Sequence, residues 1–292
     1  MLARSRGERL FNGVNVTLLA VFSLLAVYPF IYTLTMSLST AAEASREGFH
    51  LFPGEVSLTA YEMVLSNPEI LTGYGNTLFR TVFGTLATLL ATCLCAYPLS
   101  RPYMPHRRLY TFLVLFTMLF NGGIVPTYLL IKNLYLIDTR LVYILPTLIA
   151  GFNVIIVKSF FQQLPASLAE SAKIDGAGEF RILFHLYMPL SKPVLATVGL
   201  WTAVTHWNMW FDALIYVNSD SKQVMQTFLQ RIVIESSTEL IEKGLVSPDV
   251  TQFTPETIKA ATVIVTILPI LFVYPFVQRY FVKGITLGGV KE

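Results

Sequence analysis

The chain has 292 residues, of which 54% are hydrophobic and only 13% are charged, and its mean hydropathy is +0.59. This composition excludes an ordinary water-soluble globular protein and indicates a multi-pass membrane protein. The net charge of +3 identifies no partner by itself, because the placement of lysine and arginine among the loops carries the information in a membrane protein.

Six segments reach or approach the length of about 20 apolar residues that a helix needs to cross the hydrocarbon core. They are residues 14–38, 77–99, 109–131, 141–161, 194–217 and 260–282. The first follows several arginines, as a secretory signal does, but its apolar stretch is too long for one, so we expect it to be retained. We therefore predict an all-α polytopic membrane protein with six transmembrane helices, organised as a single transmembrane domain over residues 1–292.

The basic residues favour one orientation in the membrane. With the N-terminus in the cytoplasm, the cytoplasmic side holds 13 basic and 5 acidic residues, whereas the outer side holds 8 basic and 13 acidic ones. The positive-inside rule then predicts that both termini and the polar segment 162–192 are cytoplasmic.

Two outer segments, residues 39–75 and 218–259, are longer than simple connections require. The first is rich in glutamate and turn residues, and the second predicts a helix over residues 224–243. Either these segments cap an outer opening and contact a delivery protein, or they are solvated loops.

The third predicted span contains Asn121, Gly122, Gly123 and Pro126. Glycine and proline this close together predict that the helix breaks near the outer surface and leaves residues 127–136 as a short interfacial segment. Irregular backbone at this depth is tolerated only where it faces protein or water. The break is therefore a candidate gate in a pathway, and the alternative is a plain turn at the membrane surface.

The fifth predicted span is the least apolar. Thr205, Asn208 and Asp212 are three and four residues apart, which places them on one helical face, and Trp210 lies among them. Polar side chains in a span usually face the interior of the bundle, and indole rings beside hydrogen-bonding groups suit a sugar. These four residues are a candidate substrate path; the alternative is an interfacial aromatic belt with a polar helix contact.

Other chemistry has little support in the sequence. A glycine-lysine phosphate loop is missing, and the four histidines are scattered, so we expect no enzymatic activity, no metal site and no bound cofactor. Cys93 and Cys95 lie in an apolar run and are predicted to be packing residues. Membrane lipid is an expected partner, and nucleic acid is not.

The polar segment between the fourth and fifth spans predicts two short helices within residues 163–192. Ser167 and Glu170 match the capping-box pattern, which predicts a helix over about residues 168–175. Gly176 follows as a residue that can adopt positive φ at the helix end.

A second helix is predicted over residues 179–187 and is expected to end at Met188 and Pro189. Its apolar face would comprise Phe180, Leu183, Phe184 and Tyr187. Two short helices joined by small residues make a compact knob that another backbone can approach closely.

The knob resembles the "EAA" motif in the membrane subunits of bacterial ABC importers, in which Glu-Ala-Ala is followed by Asp-Gly-Ala and later by Leu-Pro. The matching residues are Glu170, Ser171, Ala172, Asp175, Gly176, Ala177 and Pro189. Ser171 and Met188 are mild departures from the motif. The resemblance implies a type I ABC importer permease fold, in which this segment is a coupling helix that docks in a groove on an ATPase subunit.

The resemblance extends over essentially the whole chain to the six-span carbohydrate permeases, which include the smaller membrane subunit of the maltose importer. Residues 120–128, 207–213 and 278–284 look like permeases for complex saccharides, including uronate oligomers such as alginate. The end of the chain resembles tails that reach between two ATPase subunits, and its alternative is a frayed terminus. The resemblance implies ATPase contacts for Lys283, Gly284, Gly288 and Gly289.

The same resemblance implies a complex in the bacterial cytoplasmic (inner) membrane. This chain would pair with a second homologous permease, two ATPase subunits would hold ATP and magnesium, and an extracytoplasmic solute-binding protein would deliver an oligosaccharide or polysaccharide fragment. Two alternatives stay open. An ion-coupled secondary transporter would need carboxylates at depth, where Asp212 is almost alone, and a membrane assembly scaffold would leave the spacing of the motif unexplained.

Overall fold

The computed structural model describes residues 6–46, 48, 51–234 and 254–289, and this part of the chain is predominantly helical. The helices are α1 (Arg6–Ser37), α2 (Ala41–Ala44), α3 (Thr59–Ser66), α4 (Pro68–Ser100), α5 (Arg107–Leu119), α6 (Ile124–Asn133), α7 (Gly151–Gln163), α8 (Ala166–Ile174), α9 (Glu179–Ile182), α10 (Met188–Leu190), α11 (Lys192–Asn208), α12 (Phe211–Tyr216), α13 (Met225–Ile234) and α14 (Pro255–Gly289). Short 3-10 turns cover Arg140–Tyr143, Leu145–Thr147 and Asp220–Lys222, and a π turn covers Leu183–Tyr187.

The chain divides into two compact units. The first comprises residues 1–68 and 231–268, and the second comprises residues 69–230 and 269–292. The candidate site lies entirely within the second unit.

In the first unit, α1 covers the first predicted span and extends it towards the N-terminus. Its large apolar side chains are exposed nearly all round; Phe22, for example, is 69% exposed. A helix that is apolar on all faces belongs in lipid or against other helices, as expected for a span. Beyond α1, the backbone N–H groups of Gly54 and Glu55 donate to the carboxylate of Glu43.

Three helices in the described part of the chain are long and apolar enough to cross a membrane: Leu10–Ser37 of α1, α4, and Pro255–Phe272 of α14. Two bent pairs raise the number to as many as five. The six-span prediction is consistent with this architecture, but several spans are less regular than the sequence suggested.

The third span breaks where it was predicted to break. α5 ends at Leu119, α6 begins at Ile124, and their axes differ by 116°. The fourth predicted span, residues 141–161, is bent. The 3-10 turns over residues 140–147 precede α7 at an angle of 53°, because Pro146 lacks an N–H group for a regular helix and Ala150 is extended, with φ −100° and ψ 119°.

Gly151 begins α7 at a close helix contact. A Cβ atom there would lie 2.7 Å from Cγ of Met118 and 3.0 Å from the carbonyl oxygen of Val114, both in α5. The glycine therefore lets α5 and α7 approach closely.

Two buried clusters hold the second unit together. One joins α4, α7, α8, α9 and α11 through residues that include Cys93, Tyr97, Val157, Phe161 and Ile182. The other joins α6, the first 3-10 turn and α12 through residues that include Ile131, Tyr143 and Ala213. Cys93 and Cys95 are free thiols that pack in or against the first cluster, as predicted.

The helix predicted over residues 224–243 is present as α13 up to Ile234. Residues 235–243 lie outside the described residues.

Candidate functional site

The knob predicted over residues 163–192 begins with α8, which ends in a regular glycine cap. Gly176 has φ +78°, and its N–H donates to the carbonyl of Lys173 over 3.0 Å. The N–H of Ala177 donates to the carbonyl of Ala172 over 2.9 Å. This pair of bonds defines a Schellman motif, so the predicted positive φ at Gly176 is confirmed.

The predicted capping box at the start of α8 is wrong. The helix begins at Ala166, so Ser167 already lies in its first turn, and Pro165 occupies the N-cap position with ψ 131°. Within the described chain, no side-chain hydrogen bond caps this helix. Because Pro165 is extended, it already sets the start of the helix. A cap by the hydroxyl of Ser167, two residues later, is therefore not needed.

α8 buries a narrow face and exposes the remainder. Ala169 is buried and Ala172 is half-buried, whereas Glu170 and Ser171 are exposed. Ile174 is 87% exposed, although it is a large apolar residue. The exposed side thus combines charged and polar side chains with one exposed apolar side chain.

The second predicted helix of the knob is not a single α-helix. α9 ends at Ile182, the chain widens into the π turn Leu183–Tyr187, and it returns to helix through Met188–Leu190. Pro189 was expected to end the helix, but the π turn removes the need for a bond from residue 189 to the carbonyl of His185 and relieves the clash with it. The helical path therefore continues to Leu190.

The π turn also changes the predicted apolar face. Leu183 and Tyr187 are buried, as expected, whereas Phe180 is 72% exposed and Phe184 is 40% exposed. Because the π turn shifts the helical register, the four side chains do not share one face. Phe180 adds a second exposed apolar side chain to the knob.

Glu179 is the centre of a polar network. This network connects the knob to α4 and to the loop that follows α4. Its Oε1 lies 2.7 Å from Nζ of Lys173 and accepts from Tyr103 Oη over 2.9 Å. Its Oε2 accepts from Tyr97 Oη over 2.6 Å. Burial raises the pKa of the Glu179 carboxyl, but the hydrogen bonds from Lys173, Tyr97 and Tyr103 outweigh burial and lower that pKa to about 2.

Arg101 extends this network into the buried core. Its guanidinium donates to Tyr97 Oη over 2.9 Å and to Tyr187 Oη over 2.5 Å. It also lies 4.5 Å and 4.1 Å from the centres of the two tyrosine rings. Two charged groups, Arg101 and Glu179, therefore share the hydroxyl of Tyr97.

The candidate substrate path lies at a break in the fifth span. α11 ends at Asn208, Met209 is extended with ψ 131°, and α12 begins at Phe211. Thr205, Asn208 and Asp212 therefore do not share one continuous helical face, and that prediction is wrong. They nevertheless line one cavity of about 620 Å³ together with Trp210.

The break is held by an arginine from α4. The Arg80 side chain is fully buried and forms a two-pronged ion pair with Asp212, with distances of 2.6 Å and 3.2 Å. Its guanidinium also donates to the carbonyl of Met209 over 3.0 Å and lies 4.6 Å from the Tyr143 ring centre. The break frees the Met209 carbonyl for this bond, because carbonyls in the last turn of a helix lack intrahelical partners.

Sequence reasoning missed Arg80, Tyr97 and Arg101. A lone arginine in one apolar span and a lone aspartate in another are a usable signal, because buried charges in membrane proteins pair with each other. Tyr97 and Arg101 carry no comparable signal, because aromatic and basic residues are common at the ends of spans.

The candidate gate is a stable turn. Gly123 has φ +88°, and its N–H donates to Oδ1 of Asn121 over 2.8 Å. Asn121, Gly122 and Pro126 are exposed, and Pro126 lies in the first turn of α6, where a proline removes no intrahelical bond. The backbone geometry thus explains the break that Asn121, Gly122, Gly123 and Pro126 were predicted to produce.

The proposed ATPase-contact tail is helical in its backbone. α14 continues past residue 282, the predicted end of the sixth span, and includes Lys283, Gly284, Gly288 and Gly289. Residues 290–292 lie outside the described residues.

Comparisons with known proteins place the chain in a family. Residues 70–287 match the model of the family described as binding-protein-dependent transport system inner membrane component. Protein LplC of Bacillus subtilis (strain 168) is 42% identical over 98% of this chain and 97% of its own length. The polygalacturonan/rhamnogalacturonan transport system permease protein YtcP of the same organism is 43% identical over 97% of this chain and 99% of its own length.

A solved transporter structure is also similar to this chain over nearly its whole length. A chain in the crystal structure of a bacterial ABC transporter involved in the import of the acidic polysaccharide alginate superposes with a TM-score of 0.89, at 35% identity, over 96% of this chain and 100% of that chain. A second similar chain comes from the crystal structure of a bacterial alginate ABC transporter in complex with an alginate pentasaccharide-bound periplasmic protein. It superposes with a TM-score of 0.55, at 14% identity, over 91% of this chain and 92% of that chain. At this identity the similarity supports the fold alone. The chain therefore belongs to the family of binding-protein-dependent transport system inner membrane components.

Proposed function

We propose that this chain is the permease subunit of an ATP-driven ABC importer for a carbohydrate, an oligosaccharide or polysaccharide fragment delivered by an extracytoplasmic solute-binding protein. YtcP, which matches nearly the whole chain at 43% identity, is named as a permease protein of a polygalacturonan/rhamnogalacturonan transport system, and this supports the proposal. The solved structure at 35% identity comes from a transporter of an acidic polysaccharide.

The observation that carries the proposal is the surface of the knob. Glu170, Ser171, Asp175 and Gly176 are exposed around the Schellman turn, and the apolar side chain of Ile174 is exposed with them. An exposed helix end of this kind suits insertion into a groove. In the proposed complex, Glu170, Ser171, Ala172, Asp175, Gly176, Ala177 and Pro189 dock on an ATPase subunit.

The other subunits follow from this assignment. A second homologous permease completes the membrane pathway, two ATPase subunits hold ATP and magnesium, and both termini of this chain are cytoplasmic. Lys283, Gly284, Gly288 and Gly289 contact the ATPases. Asn121, Gly122, Gly123 and Pro126 form part of a gate.

The saccharide passes the cavity at the break between α11 and α12. Thr205 and Asn208 offer hydroxyl and amide groups there, and Trp210 offers an aromatic face. Asp212 lies at the cavity but is ion-paired with Arg80, so its contribution is to position the wall. Unchanged uptake of the saccharide by an Asn208→Ala, Trp210→Ala double variant would argue against this path.

A matched pair of glycine variants tests the proposal. Gly176→Glu forces a left-handed backbone on a residue with a side chain, at a cost of about 1–2 kcal/mol, whereas Gly178 has φ −73° and open space for a Cβ atom. We expect Gly176→Glu to abolish ATP-dependent saccharide uptake in vesicles and to reduce co-purification of the ATPase, while the chain still inserts.

Gly178→Glu adds the same charge two residues away. It should reduce saccharide uptake and co-purification of the ATPase less than Gly176→Glu does. Normal uptake by Gly176→Glu would contradict the docking proposal. Uptake by the unmodified transporter that depends on an ion gradient and not on ATP would contradict the proposed function itself.

A further inference from the structure

α4 makes two sets of polar contacts, and the two sets lie in different parts of the second unit. Near its C-terminus, Tyr97 contacts Glu179 in the knob. Nearer the middle of the helix, Arg80 contacts Asp212 at the break in the fifth span. Tyr97 and Arg80 are 17 positions apart, which corresponds to about 25 Å along an α-helix.

The contact at the knob is charge-assisted and packed. Tyr97 Oη donates to Glu179, the first residue of α9, over 2.6 Å and accepts from Arg101 over 2.9 Å. Its ring makes edge contacts with Phe161 and Tyr187, at centroid distances of 6.4 Å and 5.2 Å. Hydrogen bonds to ionised groups are the stronger class, so a displacement of α9 acts directly on α4.

The contact at the break is also charged and is fully buried on the side of α4. Arg80 holds the carboxylate of Asp212 in α12 and the carbonyl of Met209 at the end of α11. It therefore fixes both sides of the break that lines the cavity. A shift of α4 changes the position of this wall.

We propose that α4 transmits movement from the coupling knob to the cavity wall, through Tyr97 and Glu179 near its C-terminus and through Arg80 and Asp212 nearer its middle. The inference rests on the proposed function. Chain continuity already links the knob to α7 and α11, and α4 adds a route that depends on side-chain contacts alone. Coupling between distant sites is carried by rigid elements and hydrogen-bond networks of this kind.

Two tyrosine variants distinguish the transmission of movement through α4 from the stabilisation of the Glu179 side chain alone. Tyr97→Phe removes the hydroxyl bond from α4 and keeps the ring. Tyr103→Phe removes a comparable bond to the other oxygen of Glu179, but Tyr103 lies in the loop after α4. Tyr110→Phe, at an exposed position on α5, is the control for the substitution itself.

The complete complex is reconstituted in liposomes with its ATPases and binding protein, and the measured quantity is saccharide imported per ATP hydrolysed. For Tyr97→Phe we expect this ratio to fall by about two- to thirtyfold, the range typical of coupling mutations. Tyr103→Phe should lower it less, and Tyr110→Phe should leave it unchanged. An unchanged ratio in Tyr97→Phe, or equal losses in the Tyr97 and Tyr103 variants, overturns the inference.

A second variant tests the contact between α4 and the cavity wall. Arg80→Lys keeps the charge but removes the two-pronged geometry, and it leaves the residues of the knob unaltered. We expect a lower import-to-ATP ratio with normal co-purification of the ATPases, and an unchanged ratio overturns the inference even if Tyr97→Phe does not assemble. Absence of ATP-dependent uptake by the unmodified complex would instead contradict the proposed function.

Discussion

Glu179 holds its negative charge through a set of donors that come from three places in the chain. Lys173 belongs to α8, Tyr97 to α4 and Tyr103 to the loop that follows α4. Because these donors stabilise the ionised form, the pKa of Glu179 falls from its ordinary value of 4.5 to about 2. A carboxyl group whose pKa is lowered on folding stabilises the folded state above its unfolded pKa, and this contribution is lost as the pH falls towards the folded pKa.

The substitution Glu179→Gln should therefore lower the thermal unfolding midpoint of the purified chain near about pH 7. The difference between the wild type and the variant should shrink as the pH falls below 4.5 towards 2. Thermal unfolding in detergent across a pH series measures this difference. A constant difference over the whole acid range would show that ionisation of Glu179 does not stabilise the knob.

At the residue scale, Gly176 was predictable and the start of α8 was not. A glycine after the last helical residue is a strong local signal, because only glycine adopts positive φ without a steric cost. Ser167 and Glu170 also form a local signal, but Pro165 supplies a competing one and sets the helix start. The two local signals conflict here. The extended conformation of Pro165, two residues before Ser167, decides where the helix starts.

At the element scale, the pair of Arg80 and Asp212 connects α4 to α12. The Arg80 side chain is 0% exposed and that of Asp212 is 12% exposed. Removing one partner from a buried ion pair typically costs about 3–5 kcal/mol, because the remaining charge is left buried without compensation. The pair is therefore a strong constraint on the break between α11 and α12.

Asp212→Asn should accordingly lower the thermal unfolding midpoint of the purified chain markedly. The double variant Arg80→Met, Asp212→Leu should recover part of the loss, because replacing both charges removes the unpaired one. Asp175→Asn, at an exposed aspartate in the knob, is the matched control and should leave the midpoint nearly unchanged. A double variant less stable than Asp212→Asn would contradict this account.

The existence of the helices was easier to predict than their continuity. Apolar length predicted three helices that are long and apolar enough to cross a membrane, and the glycines before Pro126 predicted the break in the third span. The break in the fifth span depends on Arg80, which is 132 positions from Asp212, so no local pattern announces it. Pro189 is a similar case. Local rules predict that a helix ends there, but the π turn before it lets the helical path continue.

At the scale of the whole molecule, the family assignment and the polar knob are independent of membrane orientation, but the proposed docking of the ATPase is not. Docking requires the knob on the cytoplasmic side, and the excess of basic residues on that side supports it. The six-span topology predicted from the sequence then places residues 39–75 on the outer side. Orientation is thus the condition on which the proposed complex depends.

Single cysteines in a background with Cys93 and Cys95 replaced by alanine measure the orientation. Phe52 is 86% exposed, and Gly178 has open space for a Cβ atom, so Phe52→Cys and Gly178→Cys should both be tolerated. We expect a membrane-impermeant maleimide to label Phe52→Cys from outside the inner membrane and Gly178→Cys only after that membrane is permeabilised. The cysteine-free background controls for other reactive groups. The reverse pattern would place the knob on the side without ATP and would rule out its role as the ATPase docking site, whatever the effect of the Gly176 variants on uptake.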